Sequence, residues 1–378
     1  MENGGMGSWT RRRLLATMAA AGATPRSALA EPRASRKLGY AIVGLGSYAT
    51  RQIMPHFRLC RFARLTALVS GTPDKLRRFG DEYGVPSTHR YSYADFDRIR
   101  DNPDIDIVYV CLPNSMHAEY VIRAAKAGKH VMCEKPMAVS VKECQAMIAA
   151  CKTAGRKLMI GYRSHFEPHN REGMRLGRSR ALGKLRYFRS EHGFTIGDPA
   201  QWRLKKALSG GGSLMDIGIY ALQASRYMTG EEPLAVTATE STDRSDPRFR
   251  EVEDQIAFTL EFPSGVIGSC HSMYSANQNH VLLVGDKGRV EMEPATRYDA
   301  NKMWTGRDGR EQQVTPPPGP GKNQFAAQLD HLSECIVTNK EPIVGGEEGL
   351  RDLRIMEAIY RSAREGGRRI ELAPVRRA

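Results

Sequence analysis

The sequence predicts an α/β protein: an N-terminal Rossmann domain with a doubly wound parallel sheet, then a C-terminal α/β domain with a large, mostly antiparallel open sheet. Three observations predict it. From Leu38 to Tyr162 short apolar runs alternate with helical stretches of about 10 to 15 residues, the rhythm of βαβ units. A Gly44-x-Gly46-x-x-Ala49 turn joins the first of those runs to the first helix. Beyond Arg163 strands with frequent apolar/polar alternation follow one another across short turns. The 378 residues suffice for two domains with sizeable cores.

The N-terminus reads as a targeting segment. Thr10-Arg11-Arg12-Arg13-Leu14-Leu15 leads into a mildly apolar stretch ending at Ala23, and Ala28-Leu29-Ala30 supplies small residues at a signal-peptidase spacing. Three such parts in order make a twin-arginine signal, which sends a folded protein to the periplasm. The expected layout is a signal peptide over 1–30, a short arm over 31–37, a nucleotide-binding domain over 38–162, and a domain for substrate binding and oligomerisation over 163–378.

In the first domain, strands are expected at Tyr40–Val43, Leu65–Ser70, Ile105–Leu112, Val131–Cys133 and Leu158–Ile160. A helical stretch after Ala49 should end or kink at Pro55, which has no N–H to donate. Further helices span Lys75–Tyr83, His117–Ala127 and Val141–Ala154, the last two closed by Gly128 and Gly155. In the second domain the strands are Leu185–Glu191, Ala235–Glu240, Asp254–Phe262, Val266–Tyr274, His280–Val284 and Arg289–Met292. Helices fall at Ser213–Met228, Gln324–Thr338 and Glu347–Arg364, and the proline-rich 315–321 segment must be extended.

Composition excludes several classes. Hydrophobic residues at 41% and charged residues at 26% are globular values, and no apolar run is long enough to span or anchor in a bilayer. The net charge of +14 raises the question of nucleic acid, but the basic residues are scattered and no recognition motif accompanies them, so a solvated basic surface is expected. Seven cysteines, an odd number, show neither metal-ligand spacing nor an adjacent pair; they read as small buried hydrophobes, and no metal site is expected.

The chemistry concentrates in three places. In the first turn, Gly44 permits the tight bend and Gly46 lets the backbone approach a pyrophosphate, which would face the helix N-terminus; this is a dinucleotide fingerprint in its proper context. The second strand ends in Ser70-Gly71-Thr72-Pro73-Asp74-Lys75. Ser70 and Thr72 can donate hydrogen bonds and Lys75 can supply charge to a 2′-phosphate, which points to NADP. Third, Cys133-Glu134-Lys135-Pro136 ends a strand at the carboxyl edge of the sheet, where doubly wound folds bind ligands. Pro136 keeps Lys135 out of the helical region. Asp216 and Tyr220, four apart, share one helix face. A tyrosine with a pKa of about 10 is a poor base, but a nearby lysine cation favours its phenolate. Taken singly, Lys135 reads equally well as a surface residue and Tyr220 as a core residue.

Together with Pro113-Asn114-Ser115-x-His117, Gly161-Tyr162-Arg163, Trp202-Arg203 and Gly210-Gly211-Gly212-Ser213-Leu214-Met215-Asp216-Ile217-Gly218-Ile219-Tyr220, these motifs resemble the family of glucose–fructose oxidoreductases, inositol dehydrogenases and rhizopine-catabolism proteins. The similarity covers nearly all of the chain after Leu38. It implies that Lys135 and Tyr220 form the catalytic pair, with Asp216 and Arg163 contacting substrate or orienting them. It further implies an NADP pocket of Gly44, Leu45, Gly46, Ser47, Tyr48, Ser70, Gly71, Thr72, Lys75, Tyr93, Leu112, Pro113, Asn114, His117, Glu134, Lys135, Arg163, Trp202 and Arg203. Tyr220 stands where much of the family has a histidine, which narrows the resemblance to the sugar–sugar branch. The glucose–fructose enzymes of that branch carry a long proline-rich arm after the signal; here only Glu31 to Lys37 intervene, so an arm-less periplasmic aldose–aldose oxidoreductase is an equal description.

The implied activity is ping-pong hydride transfer between two sugars on a retained NADP, one aldose becoming its lactone and a second sugar an alditol. The alternatives are a sugar dehydrogenase or ketosugar reductase that exchanges its cofactor, and a sugar-binding protein that holds NADP without turnover. The expected partners are small-molecule sugars and further copies of the chain, a dimer being favoured over a tetramer.

Overall fold

The computed structural model describes residues 36–321 and 323–374. The expected signal peptide and all of the arm but Arg36 and Lys37 lie outside the described residues.

Six strands form a parallel sheet: β1 (Leu38–Val43), β2 (Ala63–Val69), β3 (Arg90–Tyr91), β4 (Ile107–Val110), β5 (His130–Cys133) and β6 (Leu158–Ile160). Their order is β3-β2-β1-β4-β5-β6, so the winding reverses between β1 and β4 and opens a crevice at the carboxyl ends of the strands. All six residues of β1 are buried, as a strand covered on both faces requires. The edge strand β3 is not among the expected strands, since two residues carry no readable periodicity. After β1 the chain is helical from Ser47, changes to a π turn over Ala49–Ile53 and continues as a 3-10 helix over Met54–Leu59. Pro55 thus coincides with a change of hydrogen-bond pattern and the helix continues, because at the start of a 3-10 segment its missing N–H is not needed.

A second sheet has nine strands: β7 (Leu185–Gly193), β8 (Ala235–Ser241), β9 (Gln255–Glu261), β10 (Ile267–Met273), β11 (Gln278–Gly285), β12 (Gly288–Met292), β13 (Met303–Arg307), β14 (Arg310–Val314) and β15 (Ile370–Glu371). Their order is β14-β13-β12-β11-β7-β10-β9-β8-β15; β7 and β10 run parallel and the other neighbours antiparallel. The expectation omits β13 to β15. Strand β14 reads Arg-Glu-Gln-Gln-Val and is almost wholly exposed, so it has no apolar alternation. Its hairpin signal is nonetheless present: Asp308-Gly309 adopts φ of 53° and 74°, as a tight two-residue turn requires.

The helices Pro73–Glu82, His117–Lys126 and Val141–Thr153 lie within two residues of expectation, as do Gln324–Val337 and Gly346–Arg364. The helix Pro168–Arg178 is additional; Gly173 and Gly177 weaken its helical pattern, yet Gly177 is needed, because a Cβ there would stand 2.0 Å from the Met228 carbonyl oxygen. The expected helix Ser213–Met228 begins as a π turn, Leu214–Gly218, and becomes α-helical over Ile219–Thr229.

One continuous core joins the two sheets. Gly346–Arg364 packs on both Val141–Thr153 and β8, and Gln324–Val337 docks on the parallel sheet, where the Tyr40 hydroxyl donates to the Leu329 carbonyl at 2.7 Å. All seven cysteines are unpaired, six of them buried and Cys111 half-buried. Among the described residues no helix is long and apolar enough to cross a membrane.

Gly44 has φ of 94°, and a Cβ there would lie 2.5 Å from the Cys111 carbonyl oxygen. Gly44→Ala is therefore expected to cost about 2 kcal/mol or more through strain and overpacking. Thermal unfolding checks this: the midpoint should drop by several degrees.

Candidate active site

The carboxyl end of β5 and the first turn of the helical segment after Ser213 meet at a buried ion pair. The Lys135 ammonium donates to the Asp216 backbone oxygen at 2.6 Å and to Oδ1 at 3.3 Å, with side-chain exposures of 14% and 16%. Asp216 Oδ2 accepts from Arg203 Nε at 2.9 Å and from the Tyr274 hydroxyl at 3.0 Å. Burial alone would raise the Asp216 carboxyl, but Arg203 and Lys135 outweigh it and hold the group at about 2, below its ordinary 3.8. Burial likewise acts to lower the Lys135 ammonium, and the neighbouring Tyr220, Asp216 and Glu134 reverse that, leaving it above its usual value.

Tyr220, one turn beyond Asp216, lies between two cations. Lys135 Nζ is 4.9 Å from its ring centre and the Arg163 guanidinium carbon 5.0 Å. Arg163 Nε donates to the Tyr220 hydroxyl at 3.2 Å. The rest of that guanidinium is held by Gln324 Oε1 at 2.7 Å and by the carbonyls of Thr296 and Arg297 at 2.6 and 3.3 Å, and Tyr298 covers it at 4.7 Å. Glu134 is buried, which raises its carboxyl, while the Tyr109 hydroxyl donates to it and the Lys135 N–H bonds it at 3.2 Å. Gly161 leaves room for this carboxylate, since a Cβ there would be 2.7 Å from Glu134 Oε1.

A second group gathers at the end of β2. Ser70 is buried and its Oγ accepts the Thr72 N–H at 3.2 Å, while Lys75 reaches back to the Leu45 carbonyl at 3.1 Å. The Tyr93 ring lies 3.0 Å from where a Gly71 Cβ would stand. No carboxylate faces this corner from Asp74, which is 83% exposed and paired with Arg77. Around Gly46 the space is open, with nothing within 4 Å of where a Cβ would stand. An open glycine loop, a helix starting at Ser47, and hydroxyl and ammonium donors beside the second strand fit a dinucleotide carrying a 2′-phosphate.

Other expected residues make contacts of their own. His117 is fully buried, with its ring nitrogens 3.0 and 2.9 Å from the Pro136 and Leu112 carbonyls, so its side chain ties two loops together. Asn114 Nδ2 bonds the Ser209 carbonyl at 2.8 Å, just after Leu112 and Pro113 leave β4. Tyr48 packs against Tyr298 and Phe325, and Arg203 lies over the Trp202 ring at 4.6 Å. Sequence reasoning missed Tyr274, Tyr298, Thr296 and Gln324, which reach the site from distant segments with no local signature. An open groove between helices Pro168–Arg178 and Gly346–Arg364 contains none of the expected residues; the site is located by its chemistry. Among the described residues no cluster of three His, Cys, Asp or Glu could hold a metal.

Residues 38–162 match the oxidoreductase family with an NAD-binding Rossmann fold, and residues 178–372 match the C-terminal alpha/beta domain of the same family. The chain belongs to the Gfo/Idh/MocA oxidoreductase family. It is similar to the aldose-aldose oxidoreductase of Caulobacter crescentus, solved with glycerol, at 64% identity and a TM-score of 0.88 over 89% of this chain and all of that one. It is 30% identical to an NADP(+) D-xylose 1-dehydrogenase of Haloarcula marismortui over 86% of this chain and 90% of the relative. A dTDP-3,4-didehydro-2,6-dideoxy-alpha-D-glucose 3-reductase of Actinomadura kijaniata is 26% identical over 88% and 98%.

Because the Asp216 carboxyl is depressed, its stabilising contribution is complete above its ordinary value and is lost as pH falls from about 4 towards 2, an effect of about 2 kcal/mol. Asp216→Asn should lower the midpoint of thermal unfolding at neutral pH and flatten its decline between those pH values, which thermal melts across that window would check.

Proposed function

We propose that this chain is an NADP-dependent sugar oxidoreductase of the periplasm, exported by the twin-arginine route. It keeps its cofactor through turnover, oxidises one aldose at C1 to the lactone and reduces a second sugar to an alditol. The observation that carries this reading is the Tyr220 phenol set between Lys135 and Arg163 at the carboxyl edge of the parallel sheet. Its likeness to the Caulobacter crescentus aldose-aldose oxidoreductase along the whole of that chain supports the choice of substrates.

Gly44 to Tyr48 would hold the pyrophosphate of NADP, and Ser70, Gly71, Thr72 and Lys75 its 2′-phosphate. When bound, NADP supplies the site with a hydride acceptor and, in reduced form, a hydride donor. Tyr220 takes the proton of the sugar C1 hydroxyl and returns one to the carbonyl of the second sugar. The Lys135 ammonium and the Arg163 guanidinium lie beside its ring, and Arg163 Nε donates to its hydroxyl. Lys135 spends two of its three donors on Asp216, leaving one for a sugar oxygen. Asp216 has both side-chain oxygens and its carbonyl occupied by protein donors, so it orients Lys135 and does not act as the base. Arg163 is committed to four protein acceptors and acts by orienting Tyr220. The face of the second sheet that carries the exposed Ile267 is where we place the partner subunit of a homodimer.

A second reading, a dehydrogenase that exchanges NADP with solution, draws on the likeness to D-xylose 1-dehydrogenase. Steady-state kinetics with two sugars separate the readings. Retained cofactor gives parallel double-reciprocal lines and turnover without added NADP, whereas exchange gives a strict requirement for added NADP. Tyr220→Phe keeps the ring and removes the proton acceptor, so turnover should fall by about 10² to 10⁴ with NADP still bound. Near-normal turnover in that variant would overturn the assignment of Tyr220.

A further inference from the structure

The helical segment that carries Asp216 and Tyr220 begins without a side-chain cap of its own. Gly210, Gly211 and Gly212 have no side chains to offer, and the Ser213 hydroxyl is turned to the Ser272 hydroxyl at 3.1 Å. A helix start leaves backbone N–H groups that must find acceptors. Here one distant residue accepts three consecutive N–H groups. Glu253, only 4% exposed, accepts the Gly212 N–H at Oε2 at 2.8 Å and the Leu214 N–H at Oε1 at 3.0 Å, and its backbone oxygen takes the Ser213 N–H at 3.4 Å.

Gly211 and Gly212 are the imprint of this contact. A Cβ at Gly212 would stand 2.1 Å from the Glu253 carbonyl oxygen, and one at Gly211 would stand 2.1 Å from the Tyr360 hydroxyl. That hydroxyl donates to Glu253 Oε1 at 2.8 Å and fastens the carboxylate to the helix Gly346–Arg364. The next residue, Asp254, receives the Tyr274 N–H at its Oδ1 at 3.0 Å, and the Tyr274 hydroxyl in turn bonds Asp216 Oδ2. Two consecutive residues thus fix Asp216 from both sides, and neither of the two side chains bonds Lys135 or Tyr220.

We propose that Glu253 is a positioning residue for the catalytic pair: its buried carboxylate sets the turn that carries Asp216, and through Asp216 it sets the Lys135 ammonium against Tyr220. The inference rests on the roles of Lys135 and Tyr220 given above. A displaced reacting group costs rate while substrate binding is retained.

The test is Glu253→Gln, which keeps the volume but turns an N–H₂ group towards a backbone N–H. Turnover should be expressed per NADP-binding subunit, with the sugar KM, the NADP dissociation constant and the unfolding midpoint measured alongside. The expected result is a kcat about 10- to 100-fold lower, with KM and NADP affinity within about threefold of the wild type. A kcat within about threefold of the wild type, whatever the midpoint does, overturns the proposal, because a purely structural role lowers the folded fraction and not the rate per folded subunit. If Glu253→Gln does not yield folded protein, Tyr360→Phe carries the test. It removes one donor from the carboxylate and should lower kcat by about threefold or more at unchanged KM; an unchanged kcat overturns the proposal. A wild-type protein that oxidises no sugar would overturn the functional reading instead, so the two failures are distinct.

Discussion

A buried ion pair between Lys135 and Asp216 fastens the edge of the parallel sheet to the helix start packed on the second sheet. Such a pair costs desolvation energy that Coulomb attraction repays only when the remaining polar atoms are satisfied. The surroundings meet that condition, because Arg203 and Tyr274 take the other carboxylate oxygen and the Asp216 carbonyl takes a second Lys135 donor. What the pair secures is placement. It holds an ammonium over the Tyr220 ring, and the relative position of the two sheets determines the distance.

Arg163 shows the same logic from the other side. It leaves β6 in the parallel sheet and is bound by the loop after β12 and by the first residue of the helix Gln324–Val337, so two remote segments converge on one guanidinium. Tyr220 is thereby flanked by two immobilised cations, one from each of two neighbouring parallel strands. The carboxylates nearby, Asp216 and Glu134, are each spent on protein donors, which supports the proposed role of the phenol in proton exchange.

Much of this was legible in the sequence because it is locally encoded. The Gly44 turn, the alternation of apolar runs with helices, and the four-residue spacing of Asp216 and Tyr220 each follow from a short-range rule. The unread parts have no such code. Strand β3 is two residues long, β14 is polar because it is an exposed edge, and the helix Pro168–Arg178 carries glycines that only the close approach of Met228 explains. The resemblance places His117 among the cofactor residues by its motif, and its ring nitrogens lie 3.0 and 2.9 Å from the Pro136 and Leu112 carbonyls, contacts that no local pattern announces. Residues 210–212 read as an introduction to a helix. The need for glycine at 211 and 212 became visible only once Tyr360 and Glu253, some 150 and 40 residues further on, were in place beside them.

The proposed activity requires a cofactor that stays bound while sugars come and go past Tyr220. Its most direct test is the absorbance at about 340 nm of the purified protein with no added nucleotide, as single sugars are introduced. The account predicts that an aldose raises the signal once, to about one equivalent per subunit, and that a second sugar abolishes it. No change with any aldose or pentose, or a signal that appears only when NADP is supplied and then accumulates in free solution, would contradict it.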